Sequence, residues 1–228
     1  MTHPVGLERL APPQLAWEIA DSKRSIETAT GLPVSGFRAP GFDLGPRSIA
    51  ALQQAGYRYD ASDYPTPLLL LARAALALRS RRPGEALGQC LWPRTFSRLP
   101  GRLNGPGSLF EFPVSVTRAG RWPLYHTLRS EGDGGSFGRR LDALAGRGEP
   151  LSYILHAVDA LGLVEDRVDA RLAGHPGMRL PLSRKLARID ATLGAISTRF
   201  EPGPFADAVS EAVRWFQIER DRRLSGAN

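Results

Sequence analysis

The chain has 228 residues with 42% hydrophobic and 23% charged content, which fits one soluble globular domain with a sizeable core. Its net charge of +7 suits an anionic partner, but Lys23 and Lys185 are its only lysines and no basic run is interleaved with aromatics. The charge therefore reads as Arg-rich composition, and no nucleic-acid partner is expected. Cys90 stands alone, which excludes an intrachain disulfide and leaves the redox compartment open, and the first residues carry no basic patch followed by an apolar stretch, so they do not read as a signal peptide.

Pro12 and Pro13 open a helix, because proline is tolerated in a first helical turn. Leu15, Ile19 and Ile26 then recur near helical spacing, and Gly31 with Pro33 ends the run. Val34 to Phe37 is a short strand. Pro46 starts a second helix carrying Ile49 and Leu52, Gly56 stops it, and Tyr57 to Tyr59 is the next strand. Strand, helix and strand at this spacing predict parallel α/β structure. Pro67 to Leu78 is the most apolar segment. Arg73 interrupts it and it falls far short of the ~20 residues a membrane span needs, so it predicts a buried helix and no transmembrane segment. Its flank Arg79-Ser80-Arg81-Arg82 leaves an interfacial membrane contact open.

Pro83 to Gly107, dense in Pro, Gly and Arg, predicts a long loop. Leu109 to Val116 alternates as a strand bent at Pro113. Gly132 to Gly138 is a flexible loop, Phe137 to Ala145 a helix and Leu151 to Leu155 a strand. Leu180 to Arg199 is a long amphipathic helix with Leu182, Leu186, Ile189, Leu193 and Ile196 as its apolar set. Phe205 to Arg220 closes the chain. No internal repeat or clean linker divides it, so residues 1–220 are expected to form a single domain and residues 221–228 a frayed tail.

Two residues stand where a short apolar run stops, the position at which barrel-like α/β enzymes put their chemistry. Arg38 follows Val34-Ser35-Gly36-Phe37, and Pro40 pushes Ala39 to extended geometry. A guanidinium held there can clamp a carboxylate and keep it ionised; the alternative is a surface Arg beside a turn. His156 follows Leu151-Ser152-Tyr153-Ile154-Leu155 and can give a proton to a leaving amine, or serve only as a hydrogen-bonding rim residue. Asp159 is placed to orient it or to cap a turn. His3 can ligate a metal through a neutral ring nitrogen, although a lone terminal His commonly has no role. Asp60 and Asp63 lie in an acidic turn, facing a site or acting as caps. His126 and His175 have no partner at ligand spacing and receive no role. There is no phosphate loop, CxxC, HExxH or GxSxG.

These pieces together resemble the polysaccharide deacetylase family, the NodB-type carbohydrate esterases. The resemblance runs through His3-Pro4, Gly36-Phe37-Arg38-Ala39-Pro40-Gly41-Phe42, Gly56-Tyr57-Arg58-Tyr59-Asp60-Ala61-Ser62, Glu111-Phe112-Pro113-Val114-Ser115, Leu155-His156 and the Arg184-Lys185 helix, and it rests on their order and spacing rather than on one motif. It implies a distorted parallel (β/α) barrel, here N-terminally incomplete. The implied activity is a hydrolase that removes N-acetyl groups from a polysaccharide or oligosaccharide with a divalent metal, usually zinc. By the resemblance His3 is a metal ligand, Arg38 orients a base, His156 is the general acid, and Asp60 falls near the family's weakest motif.

The chain departs from the family in lacking the Asp-Asp segment and the first ligand His, since nothing acidic precedes His3. One imidazole does not hold a catalytic zinc, which typically needs three protein ligands. The expectation is that Met1 is an internal residue of a longer reading frame and that the chain as given binds metal poorly and turns over little. Two other readings follow from the same residues. One is a non-catalytic glycan-binding relative with Trp92, Trp122 and Tyr125 as stacking surfaces. The other is a hydrolase of small cyclic amides, which Arg38 and His156 would serve equally well. The compartment, cytoplasmic or at the cell envelope, is not indicated.

Overall fold

A computed structural model describes residues 6–79, 97–103, 109–129, 132–178 and 180–211. The chain divides into two compact units: the residues up to Pro113 together with those from Gly203 onward, and Val114–Pro202.

The first unit carries α1 (Pro12–Thr30), β1 (Gly36–Phe37), α2 (Pro46–Gln54), β2 (Tyr59–Asp60), α3 (Leu68–Arg79), β3 (Gly101–Arg102) and β4 (Phe110–Glu111), and residues 205–211 are helical. Both early helices start on a proline, and α1 ends at Gly31, whose φ of 69° is the left-handed cap geometry glycine allows. The sheet order is β1-β2-β4-β3, with β1, β2 and β4 parallel and β3 antiparallel to β4. The expected strand–helix–strand alternation is therefore present. A closed barrel is not shown: the strands of this sheet are two residues long and one runs antiparallel. Gly36 is required where it stands, because a Cβ there would lie 2.0 Å from the ring of Tyr59 across the β1–β2 pair.

Apolar residues on both sides hold this sheet. Leu15 and Ile19 of α1, Leu52 of α2, and Leu44, Tyr57 and Leu109 form one cluster. Phe110 and Phe112 meet Tyr59, Phe205 and Val209 in another. Three expectations need correction. Ile26 is 42% exposed, because the second half of α1 is tied down by polar groups instead: Glu27 accepts from the Val34 N–H and pairs with Lys23. The helix α3 exists but is not wholly buried: Ala77 faces inward while Leu71 and Leu78, seven residues apart on one stripe, are exposed. The segment read as one long loop contains β3, whose backbone pairs with β4; residues 83–96 and 104–107 of that segment lie outside the described residues, as do Cys90 and Trp92.

The second unit carries α4 (Gly134–Ala145), the one-turn α5 (Ala157–Ala160) and α6 (Leu182–Ser197). Leu124, Phe137, Leu141 and Leu144 form its core with Tyr153 and Ile196 packed against them. The strand expected over Leu151–Leu155 shortens to a single parallel bridge of Ile154 with Tyr125. The Ser115 side chain explains this, since its hydroxyl takes the Ser152 N–H that a ladder would use.

The largest correction concerns α6. Its expected apolar set includes Leu186 and Leu193, both 48% exposed, whereas Lys185 and Thr192 are buried. The helix is turned so that polar side chains point inward, where each finds a partner. Lys185 donates to the carbonyls of Val158 and Leu161, Arg188 to those of His126 and Arg129, and Thr192 meets Arg129.

Candidate functional site

In the first unit the candidate residues lie at the carboxyl ends of adjacent parallel strands. Arg38 directly follows β1, and Asp60 ends β2 in register with Phe37 on one side and Glu111 on the other. Asp60 and Glu111 are buried at 0% and 2% exposure. Carboxylates are rarely so buried unless hydrogen-bonded, and both are. Asp60 accepts from the Ser62 N–H at 3.0 Å and the Ser62 hydroxyl at 2.7 Å. That hydroxyl in turn accepts the Ala39 N–H at 2.7 Å, so the backbone beside Arg38 is linked through one serine to Asp60. Glu111 accepts the Asp63 N–H at 3.0 Å.

Arg38 donates its Nε to the Ala61 carbonyl at 2.7 Å, which aims the guanidinium along the strand ends. Its surface is exposed, yet enough protein surrounds it that loss of water lowers its pKa, opposed by the charges of Asp60 and Glu111. The exposed area decides the outcome, because an arginine in contact with water stays charged. With Nε committed to Ala61, the two terminal amino groups of the fork remain for an incoming anion.

In the second unit His156 is exposed and sits as the N-cap of α5. Its backbone N–H donates to Asp159 at 2.8 Å, so Asp159 has the capping role that was one of its two expected readings. Asp159 is buried and also accepts the Thr127 hydroxyl at 2.8 Å. The His156 ring lies against Tyr125, with centroids 5.1 Å apart and Nε2 3.5 Å from the phenol oxygen. Lys185 holds the far end of the same turn through the Val158 carbonyl at 3.0 Å and the Leu161 carbonyl at 2.5 Å.

Beneath this turn runs a polar cluster without an assigned role. His126 is buried, and its Nδ1 lies 3.1 Å from the Tyr153 hydroxyl. Burial holds His126 below its ordinary pKa; Asp159 and Asp133 oppose that shift, while Arg188 and Arg129 reinforce it. Burial also pushes the Tyr153 phenol up to about 12, against the charge of Arg129. Arg129 pairs with Asp133 at 2.6 Å and lies 3.9 Å over the Phe137 ring.

The structure thus brings Arg38 and Asp60 together and supports His156 by its own separate set of contacts. His3 lies outside the described residues. Among the described residues no group of three or more His, Cys, Asp or Glu is placed to hold a metal ion, so those residues do not by themselves fit a metal centre. Glu111 and Lys185 were named from sequence inside segments that carry the resemblance, without a role of their own. Glu111 had a legible signal, an acid between Phe110 and Phe112 in an apolar run; Lys185 had none, since a lysine on an amphipathic helix is ordinarily solvated.

No protein-family model matches this chain, and no curated protein matches it in sequence. Among solved structures the chain is similar to one from Mycobacterium smegmatis, provisionally described as a polysaccharide deacetylase. The TM-score is 0.50 at 16% identity, covering 93% of this chain and 60% of that one. The likeness is one of fold, an α/β arrangement with a small, mostly parallel sheet. This chain spans less than two thirds of that protein's length.

Proposed function

We propose that this chain belongs to a deacetylase-like hydrolase that cleaves the carbon–nitrogen bond of an N-acetyl group on a glycan. The observation that carries the reading is the placement of Arg38 and Asp60 at the ends of neighbouring parallel strands, inside two of the sequence segments that carry the family resemblance. The likeness in fold to a protein of that description supports it.

Within this reading the exposed fork of Arg38 orients a carboxylate, and Asp60 is a positioning residue, since its oxygens are buried and occupied by Ser62. His156, exposed and held by its cap, donates a proton to the leaving amine. A divalent metal, zinc by expectation, would polarise the amide carbonyl. His3 is the ligand the sequence offers, and the Asp-Asp pair and first ligand His of the family are not in this sequence. No helix among the described residues is long and apolar enough to cross a membrane.

The test is acetate release from N-acetylated oligosaccharides with zinc supplied, using protein expressed from the genomic reading frame with its upstream DNA included. His156→Ala is expected to lower kcat by about 10²-fold or more, the range of a general acid, and Arg38→Met to lower it with the fold intact. Acetate release unchanged by both substitutions would overturn the reading.

A further inference from the structure

We propose that the cleft beside Tyr125 is a subsite for a sugar ring bearing an acidic group. The inference rests on the glycan reading above and specifies what part of a glycan this chain prefers. The cleft measures about 80 Å³ and is lined by Trp122, Tyr125, Leu128, Arg129, Phe137 and Arg140, among others. One buried water occupies roughly 10–15 Å³ on this kind of measure, so the space suits one ring and not a chain of them.

Two features give the ligand its chemistry. The first is an aromatic platform held out on purpose-built backbone. Trp122 is 45% exposed at the end of a tight hairpin in which Val116 bridges Pro123. The Thr117 N–H donates to the Trp122 carbonyl at 2.9 Å, and the Thr117 hydroxyl accepts the Trp122 N–H at 2.9 Å. The turn is made by Gly120 and Arg121, whose φ values of 69° and 47° are both left-handed, an unusual conformation for an arginine. An indole carried on so constrained a backbone and left open to water offers its face to the apolar C–H face of a sugar ring, and with two side-chain torsions it has little entropy to lose.

The second feature is an uncompensated cation. Arg129 is already neutralised by Asp133, and it also donates to Thr192. Arg140 has no ion-pair partner among the described residues; its guanidinium carbon lies 5.8 Å from the Trp122 ring. A guanidinium beside an aromatic face selects a ring that carries a carboxylate or a phosphate. Tyr125, shared between the cleft and the His156 ring, places this subsite next to the proposed acid.

The experiment is saturation-transfer NMR titration of the protein with methyl glucuronide, glucose 6-phosphate and methyl glucoside. A charged sugar is expected to bind about tenfold tighter than the neutral one, the effect of one charge-assisted contact. The stronger of the two charged probes identifies the acid. Arg140→Gln is expected to erase that preference, and Trp122→Ala to weaken all three, with far-UV circular dichroism unchanged because Trp122 is exposed and Arg140 is only half-buried. Equal binding of the three sugars, or a preference that survives Arg140→Gln, overturns the proposal. The readout needs no turnover, so a protein that releases no acetate but keeps the charge preference loses the hydrolase reading and retains the subsite.

Discussion

The strand-end cluster of the first unit and the His156 turn of the second are held by different kinds of force. Arg38, Asp60 and Glu111 come from three strands and meet only because those strands pair in one register. Their carboxylates are desolvated and depend on every hydrogen bond they receive. His156 is exposed, and its orientation comes mostly from a cap three residues away, with two distant side chains, Thr127 and Lys185, steadying the turn. The first arrangement is expensive to disturb and rigid. The second is cheap to disturb and leaves the imidazole open to solvent, as proton transfer requires.

The largest expected effect falls on the buried cluster. Asp60→Ala removes the acceptor of two Ser62 bonds and the charge facing Arg38, and should destabilise the protein by about 3 kcal/mol in urea unfolding. A loss no greater than that of a simple cap would break the contrast just drawn. Next comes Lys185→Met, which keeps the buried stem but orphans the Val158 and Leu161 carbonyls, at a cost of about 2 kcal/mol. Hydrogen exchange should show the added opening concentrated in residues 156–161; uniform acceleration across α6 would mean that Lys185 serves the helix and not the turn. Asp159→Ala removes the acceptor of the His156 N–H and the Thr127 hydroxyl and should cost about 1 kcal/mol, and lower activity more than stability.

The smallest effect is on pH dependence. Because burial depresses the His126 pKa, the unfolded chain binds the proton more tightly than the folded one. The contribution is therefore fully present above the ordinary histidine value of about 6.5 and is lost as pH falls from there through the folded value. Tyr153 acts in the opposite sense: its raised pKa makes a contribution that is complete below the ordinary value of about 10 and is lost as pH rises toward 12. His126→Gln should flatten the acid limb of the urea midpoint against pH and leave the alkaline limb in place. An acid limb unchanged by that substitution would mean that His126 does not set it.

Much of the first unit was legible along the chain. Prolines at the starts of α1 and α2, glycine at the end of α1 and a short apolar run before Arg38 are local signals, and they mark the helices and the ends of strands where the structure has them. Asp60 was read as either a site residue or a cap. The structure shows it accepting its own turn's N–H, which is the capping reading, with its charge acting on Arg38. Glu111 was visible only as an acid out of place, because its partner, the Asp63 N–H, is far away in sequence. The second unit was less legible. Leu186 and Leu193 pointed to one face of α6, and the helix buries another.

The sequence by itself determined the alternation of short strands and helices, the proline starts and glycine stop, and the presence of an arginine and a histidine where apolar runs end. Each of these follows from backbone sterics or from periodicity within a few residues. Only the tertiary structure decided which face of α6 turns inward, which carboxylates share a strand register, and which aromatic is left open on a hairpin. The physical reason is the same in each case. Hydrophobic periodicity prices every polar side chain as though it will stay in water, whereas Lys185, Arg188 and Thr192 find carbonyl and hydroxyl partners from distant segments that make burial the better state.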